Sequence, residues 1–269
     1  MKTAYVTMLC HGDGYVTGAE VLGKSLAASG STVPRVAMVT ADISRAARER
    51  LAVQGWELRD VEAIANPTPD SLLVFPRFGA VFTKLRAWEL TEYDRVVLLD
   101  ADTLVLKNVD DLFDRPGFAA GPDFFLPDRF NSGVMVIPPS KETFERMVAA
   151  LTAAPSYDGG DQGFLNSFYP DWYAMSVEHR LPVGYNLANF IYQFAHGHPT
   201  LRATLAREAR VLHYMVQKPW QAMSTLTGGS EAWWSTYFEA HPEKASAWKE
   251  RVHAIEDWTF DKIAALILD

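Results

Sequence analysis

The stretch Arg95-Val96-Val97-Leu98-Leu99-Asp100-Ala101-Asp102 decides how the chain folds. Four consecutive large apolar residues, two of them β-branched, predict a central strand buried on both faces, the kind found in parallel sheets covered by helices. The run ends in two aspartates at i and i+2, whose side chains point the same way if the backbone stays extended. Two carboxylates that close repel unless a cation lies between them, so the pair asks for a hard divalent metal such as Mg²⁺ or Mn²⁺. The carboxyl end of a buried strand is also where open α/β sheets bind ligands. Taken alone, D-x-D also fits an ordinary strand-to-loop junction.

Outward from that strand, apolar bursts alternate with helical patterns, which predicts βαβ units and a mostly parallel sheet. Thr3–Cys10 reads as a strand, followed by a turn with Gly12 and Gly14 and a helix from about Val16 to Ala28. Arg35–Thr40 is a second strand. Asp42 is expected to cap the next helix, with Ile43, Ala46, Ala47 and Leu51 on one face, before a weaker strand at Glu57–Val61. Asn66-Pro67-Thr68-Pro69-Asp70-Ser71 is a loop, Thr83–Thr91 a helix and Val134–Ile137 a strand. Ser140 opens a helix carrying Phe144, Met147, Val148 and Leu151. The aromatic tail after Trp220 reads as helices packed back on the same domain, giving a main domain over 1–225 and a helical extension over 226–269.

Composition narrows the functional classes. The 269 residues carry 25 Lys+Arg against 33 Asp+Glu, a net charge of −8, which argues against non-specific binding to nucleic acid or an anionic membrane. A single cysteine forms no intrachain disulfide and fits a reducing compartment. Apolar runs fall short of the roughly 20 residues that span a bilayer, and His11-Gly12-Asp13 interrupts the start before a signal-peptide core is reached. The expectation is an acidic, cytoplasmic globular protein. Neither a Walker A loop nor a G-x-S-x-G elbow is present.

Further side chains carry chemistry. His213, after Val211-Leu212, offers a neutral imidazole as a third metal ligand, and Lys218 in Lys218-Pro219-Trp220 offers a positive charge for phosphate. Each also reads as an ordinary residue beside a proline-punctuated turn. Asp158-Gly159-Gly160-Asp161-Gln162 places polar groups suited to sugar hydroxyls on a glycine-rich turn, where Asp161 equally serves as cap of a helix Gln162–Phe168. Asn131-Ser132-Gly133 reads as a turn or a ligand-facing amide. Cys10 reads as a small buried hydrophobe.

Together and in order, these segments resemble the glycogenin and galactinol synthase family of retaining glycosyltransferases, glycosyltransferase family 8. The matching stretches include Gly14-Tyr15-Val16, Thr83-Lys84-Leu85-Arg86-Ala87-Trp88, Leu99-Asp100-Ala101-Asp102-Thr103, Phe130-Asn131-Ser132-Gly133-Val134, Asp158-Gly159-Gly160-Asp161-Gln162-Gly163, Tyr185-Asn186-Leu187 and His213-Tyr214 with Lys218-Pro219-Trp220. The resemblance implies a single-domain GT-A (nucleotide-diphospho-sugar transferase) fold, with a Rossmann-like sheet between helices. It also implies a UDP-glucose or UDP-galactose donor and Mn²⁺, with Mg²⁺ as the alternative. By the same resemblance Asp100, Asp102 and His213 hold the metal, and Lys218 contacts the diphosphate. Leu9, Tyr15 and Ala101 line the uridine pocket, Arg77 and Lys84 lie near the nucleotide and donor sugar, and Asn131, Asp158, Asp161 and Gln162 face the reaction centre. Retention follows either from Asp161 as nucleophile in two displacements or from attack on the face the UDP leaves, with Gln162 steadying the sugar cation. The implied acceptor is a sugar, polyol, glucan or the chain's own Tyr192 or Tyr185, and the implied assembly a homodimer. Competing readings are a sugar-nucleotide hydrolase and a silent sugar-nucleotide-binding protein. His11-Gly12 and the short Met215-Val216-Gln217 gap depart from the glycogenin pattern.

Overall fold

The computed structural model describes residues 1–67, 76–154, 156–189, 191, 198–215, 218–220 and 230–243, with backbone alone for 76–78 and 230–232. Strand β1 (Thr3–Leu9) leads through a tight turn into helix α1 (Val16–Ala28), followed by β2 (Arg35–Val39), α2 (Arg45–Val53) and β3 (Glu57–Asp60). The 3₁₀ stretch Pro76–Glu89 precedes β4 (Arg95–Leu99) and β5 (Thr103–Val105), then β6 (Ala119–Pro122) and β7 (Phe130–Ile137). Helices α3 (Lys141–Ala150) and α4 (Asp161–Phe168), strand β8 (Leu187–Ala188), α5 (Pro199–Glu208), β9 (Val211–His213) and α6 (Ser230–Ala240) complete the order.

Six strands form one sheet in the order β3-β2-β1-β4-β7-β6. β1 to β4 pair in parallel, and β7 alone runs against its neighbours. Val96, Val97, Leu98 and Leu99 are fully buried because β4 is central and both faces are covered. Alternation divides them: Val97 and Leu99 join Leu22 of α1 and Leu51 of α2, while Val96 and Leu98 join Phe144 of α3 and Phe164 of α4. This is the Rossmann-like α/β architecture expected, with helices on both faces.

A second sheet, β5-β9-β8, holds strands of only two or three residues, which the sequence pattern does not announce. Leu104, Leu187 and Leu212 bring it against Val21 of α1 and Trp233 of α6. Among the described residues no helix is long and apolar enough to cross a membrane.

Several expectations need correction. Ser44, not Asp42, caps α2, accepting from the Ala47 amide at 3.2 Å. Asp42 instead accepts from the Gly12 amide at 2.7 Å, bracing the turn after β1 where His11 and Gly12 both have positive φ. Ala46 is exposed because it falls on the solvent side of α2, and Val148 is 42% exposed on α3. The helix expected at Thr83–Thr91 is the end of the 3₁₀ stretch, kinked at Ala80. Asn131-Ser132-Gly133 is strand, not turn, because β7 starts at Phe130 and pairs with β6. The end of the 66–71 loop, Tyr192 and the tail at 226–229 and 244–269 lie outside the described residues.

Candidate functional site

The site forms where the two sheets meet. β4 ends at Leu99, and a turn closed by the Thr103 amide on the Asp100 carbonyl (3.0 Å) sends the chain into β5. β5 then pairs with β9 in a register that sets Thr103 opposite His213. The Tyr214 amide donates to the Asp102 carbonyl at 2.9 Å, fixing the join. His213 Nε2 thereby lies 3.3 Å from Asp102 Oδ1 and 3.9 Å from Asp100 Oδ2. Its Nδ1 meets Asn186 Oδ1 at 2.9 Å. Gly133 of β7 makes this possible: a Cβ there would overlap the His213 ring.

One ligand atom from each of Asp100, Asp102 and His213 lies within 4.8 Å of the others. Donors about 2.1 Å from one octahedral cation lie about 3 Å apart along an edge and about 4.2 Å across it, so the three fit a divalent ion. The donor set, two carboxylate oxygens and an imidazole, suits such a cation chemically.

Two buried lysines offset the carboxylates. Lys84 Nζ stands 2.9 Å from Asp100 Oδ1 and 2.8 Å from Asp161 Oδ2. Burial pulls its pKa down, but the two carboxylates outweigh that and hold it above the ordinary lysine value. Lys218 Nζ pairs with Asp102 and donates to the carbonyls of Tyr214 (2.7 Å) and Met215 (3.1 Å). Against the cost of burial, Lys218 and His213 hold the Asp102 carboxyl below the ordinary range, while burial pushes Asp100 above it.

These groups line a cavity of about 420 Å³. Asp100, Asp102, Asp123, Asp158 and Asp161 face it against Lys84 and Lys218, so its wall is anionic and favours a cation. A smaller cavity of about 220 Å³ adjoins it, shares Asp123, Asn131 and Met215, and is bounded by Phe124 and Pro127.

The glycosyl transferase family 8 model matches residues 6–116. Glycogenin-1 of Oryctolagus cuniculus is 36% identical over 250 residues, which is 91% of this chain and 74% of that protein. The chain belongs to glycosyltransferase family 8. Glycogenin-1 of Caenorhabditis elegans is 37% identical over 93% of this chain, but the chain spans 58% of its length. Inositol phosphorylceramide glucuronosyltransferase 1 of Arabidopsis thaliana is 45% identical over 64% of this chain, of which the chain spans 31%. Among solved structures, the galactosyltransferase LgtC with donor and acceptor sugar analogs gives a TM-score of 0.63 at 21% identity, covering 88% of this chain and 95% of that one. The apo glycosyltransferase GlyE of Streptococcus pneumoniae gives 0.64 at 23% identity, covering 92% and 64%. The fold is GT-A.

On this family 8 scaffold, Tyr15, Lys84, Asp100, Ala101, Asp102, Asn131, Asp158, Asp161, Gln162, His213 and Lys218 all line the larger cavity. Leu9 does not. Side chains alternate along β1, so Met8 and Cys10 face the cavity while Leu9, 1% exposed, enters the core. The Arg77 side chain lies outside the described residues. Trp220 binds the Gly14 carbonyl at 2.9 Å and meets the Tyr15 ring edge-on at 5.7 Å, tying the Lys218-Pro219-Trp220 turn to the first loop.

The glycine-rich turn is built differently from the sequence expectation. Asp161 is the first residue of α4 rather than its cap, and its carboxylate accepts from Ser132 Oγ at 2.8 Å besides pairing with Lys84. Asp158 takes the capping role, accepting from the amides of Gly160 (2.9 Å) and Gly163 (3.0 Å). The sequence reading missed Asp123, which accepts from Gln162 Nε2 at 3.0 Å. Its only local signal was Gly121-Pro122-Asp123, which reads as a turn. Tyr185 is 5% exposed and its hydroxyl donates to Asp111; burial pushes its pKa up to about 12.

Proposed function

We propose that the chain is a metal-dependent retaining hexosyltransferase that moves glucose or galactose from UDP to a hydroxyl acceptor. The observation that carries this reading is the convergence of Asp100, Asp102 and His213 at one wall of the large cavity. Mn²⁺ held there would neutralise the diphosphate and the charge that grows on departing UDP. Lys218, buried beside Asp102, supplies a second positive charge on that side. Lys84 locks Asp100 and Asp161 in place, which preorganises the carboxylates around the donor.

Asp161 has one carboxylate oxygen, Oδ2, shared by Lys84 and Ser132, which draws negative charge from the carboxylate and supports attack on the face that UDP leaves. The Gln162 carbonyl oxygen, held by Asn131 while the amide nitrogen binds Asp123, carries the negative end of the dipole that would steady the sugar cation. The carboxylate-lined wall supports a neutral hexose over a glucuronate, whose extra charge it would repel. The smaller cavity, opening beside Asp123, supports entry of a sugar, polyol or glucan acceptor. Tyr185, buried with its hydroxyl on Asp111, does not suit self-glycosylation.

A panel of nucleotide sugars with candidate acceptors, with and without Mn²⁺, tests the reading. Expected are Mn²⁺-dependent UDP release and a product one hexose heavier. UDP release with no such product would make the protein a hydrolase, and UDP-sugar binding without turnover a silent binder. Intact-mass spectra after UDP-glucose and Mn²⁺ test self-glycosylation separately through hexose increments on the chain.

A further inference from the structure

The metal-facing histidine is held by a chain of amides whose every orientation is dictated by backbone. The Gly133 N–H donates to Asn131 Oδ1 at 2.9 Å, which fixes that atom as an acceptor. The second group on the same oxygen, Asn186 at 2.8 Å, must therefore present its Nδ2. Asn186 then has only its Oδ1 left for His213, and an oxygen without hydrogens requires a proton on Nδ1. The proton on Nδ1 leaves Nε2, the atom 3.3 Å from Asp102, as the nitrogen that gives up any proton to make way for a metal and ligates it. Asn131, Asn186 and His213 are all within 6% exposure, which limits competition from water for these bonds.

The chain continues the other way. Asn131 Nδ2 donates to Gln162 Oε1 at 2.7 Å, and the Ser132 N–H leans on the same oxygen at 3.4 Å. Gln162 must then turn its Nε2 outward, where it donates to Asp123 (3.0 Å) and to the Tyr157 hydroxyl (2.9 Å). Two N–H groups of β7 thus set both the tautomer at the metal end and the amide orientation at the sugar end.

We infer that Asn186 is a positioning residue for the metal site: it keeps the proton of His213 on Nδ1 so that Nε2 is the ligating nitrogen, and its Nδ2 gives a second bond to the Asn131 amide that carries Gln162. This rests on the metal-dependent reading above for its purpose, but its tautomer claim concerns the metal-free protein. Partners of this kind on metal-bound histidines are worth about 10–100-fold in metal affinity or activity.

The test uses two variants that separate the two ends. Asn186→Ala removes both bonds. Asn186→Asp keeps an acceptor for Nδ1–H and loses the donor to Asn131. Nitrogen-15 spectra of the His213 imidazole in the metal-free full chain are expected to show a protonated Nδ1 in wild type and in Asn186→Asp, and a mixture of tautomers in Asn186→Ala. Mn²⁺ affinity, read by electron paramagnetic resonance of the free ion, is expected to fall about 10–100-fold in Asn186→Ala and to stay within a few-fold in Asn186→Asp. In Asn186→Asp the loss appears in kcat instead. An Nδ1 without a proton in wild type, or equal Mn²⁺ losses in the two variants, overturns the assignment. Should Asn186→Ala fail to fold, the wild-type spectrum together with the Asp variant still decides. Wild type with the Nδ1–H tautomer but no affinity for Mn²⁺ supports the assignment of the tautomer and overturns the metal reading alone.

Discussion

The large sheet and the small sheet each bring candidate ligand atoms to the same few ångströms, and they are built on different physics. β4 lies between β1 and β7 with helices covering both faces, so its fate is written in its own residues, Val96 to Leu99. β9 is three residues long and exists because Thr103–Val105 and Leu187–Ala188, far away in sequence, flank it. Asp100 and Asp102 therefore arrive by local pattern, and His213 by a non-local pairing that only the assembled chain provides.

The largest test of that join is Asp102→Asn. It removes a proposed ligand atom and strips the buried Lys218 of its carboxylate. Turnover of UDP-sugar is expected to fall on the order of 10³-fold, and burying the Lys218 charge without that carboxylate should cost about 3 kcal/mol in denaturant unfolding. Activity near wild type would show that the two sheets do not cooperate at a metal.

Trp233→Ala and Trp88→Ala compare the two cores directly. Both rings are fully buried, one under α6 against the small sheet and one in the large-sheet core. Each truncation is expected to cost about 3–5 kcal/mol. If Trp233→Ala costs under about 1 kcal/mol, α6 contributes little to the small sheet's hold on His213. Gly133→Ala probes the seam itself: a Cβ there meets the imidazole, so about 1–3 kcal/mol of overpacking strain and weaker Mn²⁺ binding are expected together.

The large-sheet half was the more legible in sequence. β1, β2, β4, α1 and the Ser140-capped α3 follow from apolar period, glycine stops and cap chemistry. The aspartate pair was legible for the same reason, since it sits where a readable strand ends. β5, β8 and β9 were not, because two or three residues hold no period. His213 and Lys218 became site candidates by motif resemblance. Asp123 escaped both routes: it is a turn residue by local chemistry, and only the pairing of β6 with β7 brings it to Gln162. Asp42 and Ser44 show the limit of local cap rules. Both are good caps, and Asp42 was drawn off by the Gly12 amide across the turn after β1.

That last contrast is itself measurable. Ser44→Ala is expected to lower stability by about 1 kcal/mol through loss of the α2 cap. Smaller still is the effect at Cys10, which faces the cavity but whose thiol burial pushes up to about 12. Alkylation should be slow at neutral pH and still rising with pH after an ordinary thiol, with a pKa of about 8.5, has levelled off. Rapid labelling at neutral pH would contradict the closed packing around the end of β1.

The most direct test of the account is Mn²⁺ titration of wild type, Asp100→Asn and His213→Ala in the presence of UDP, with free ion counted by electron paramagnetic resonance. One saturable site in wild type is expected, weakened at least about tenfold by each substitution, because a ligand from either sheet is indispensable. Unchanged affinity in His213→Ala would mean that the small sheet brings no ligand, and the two-sheet metal site would be wrong.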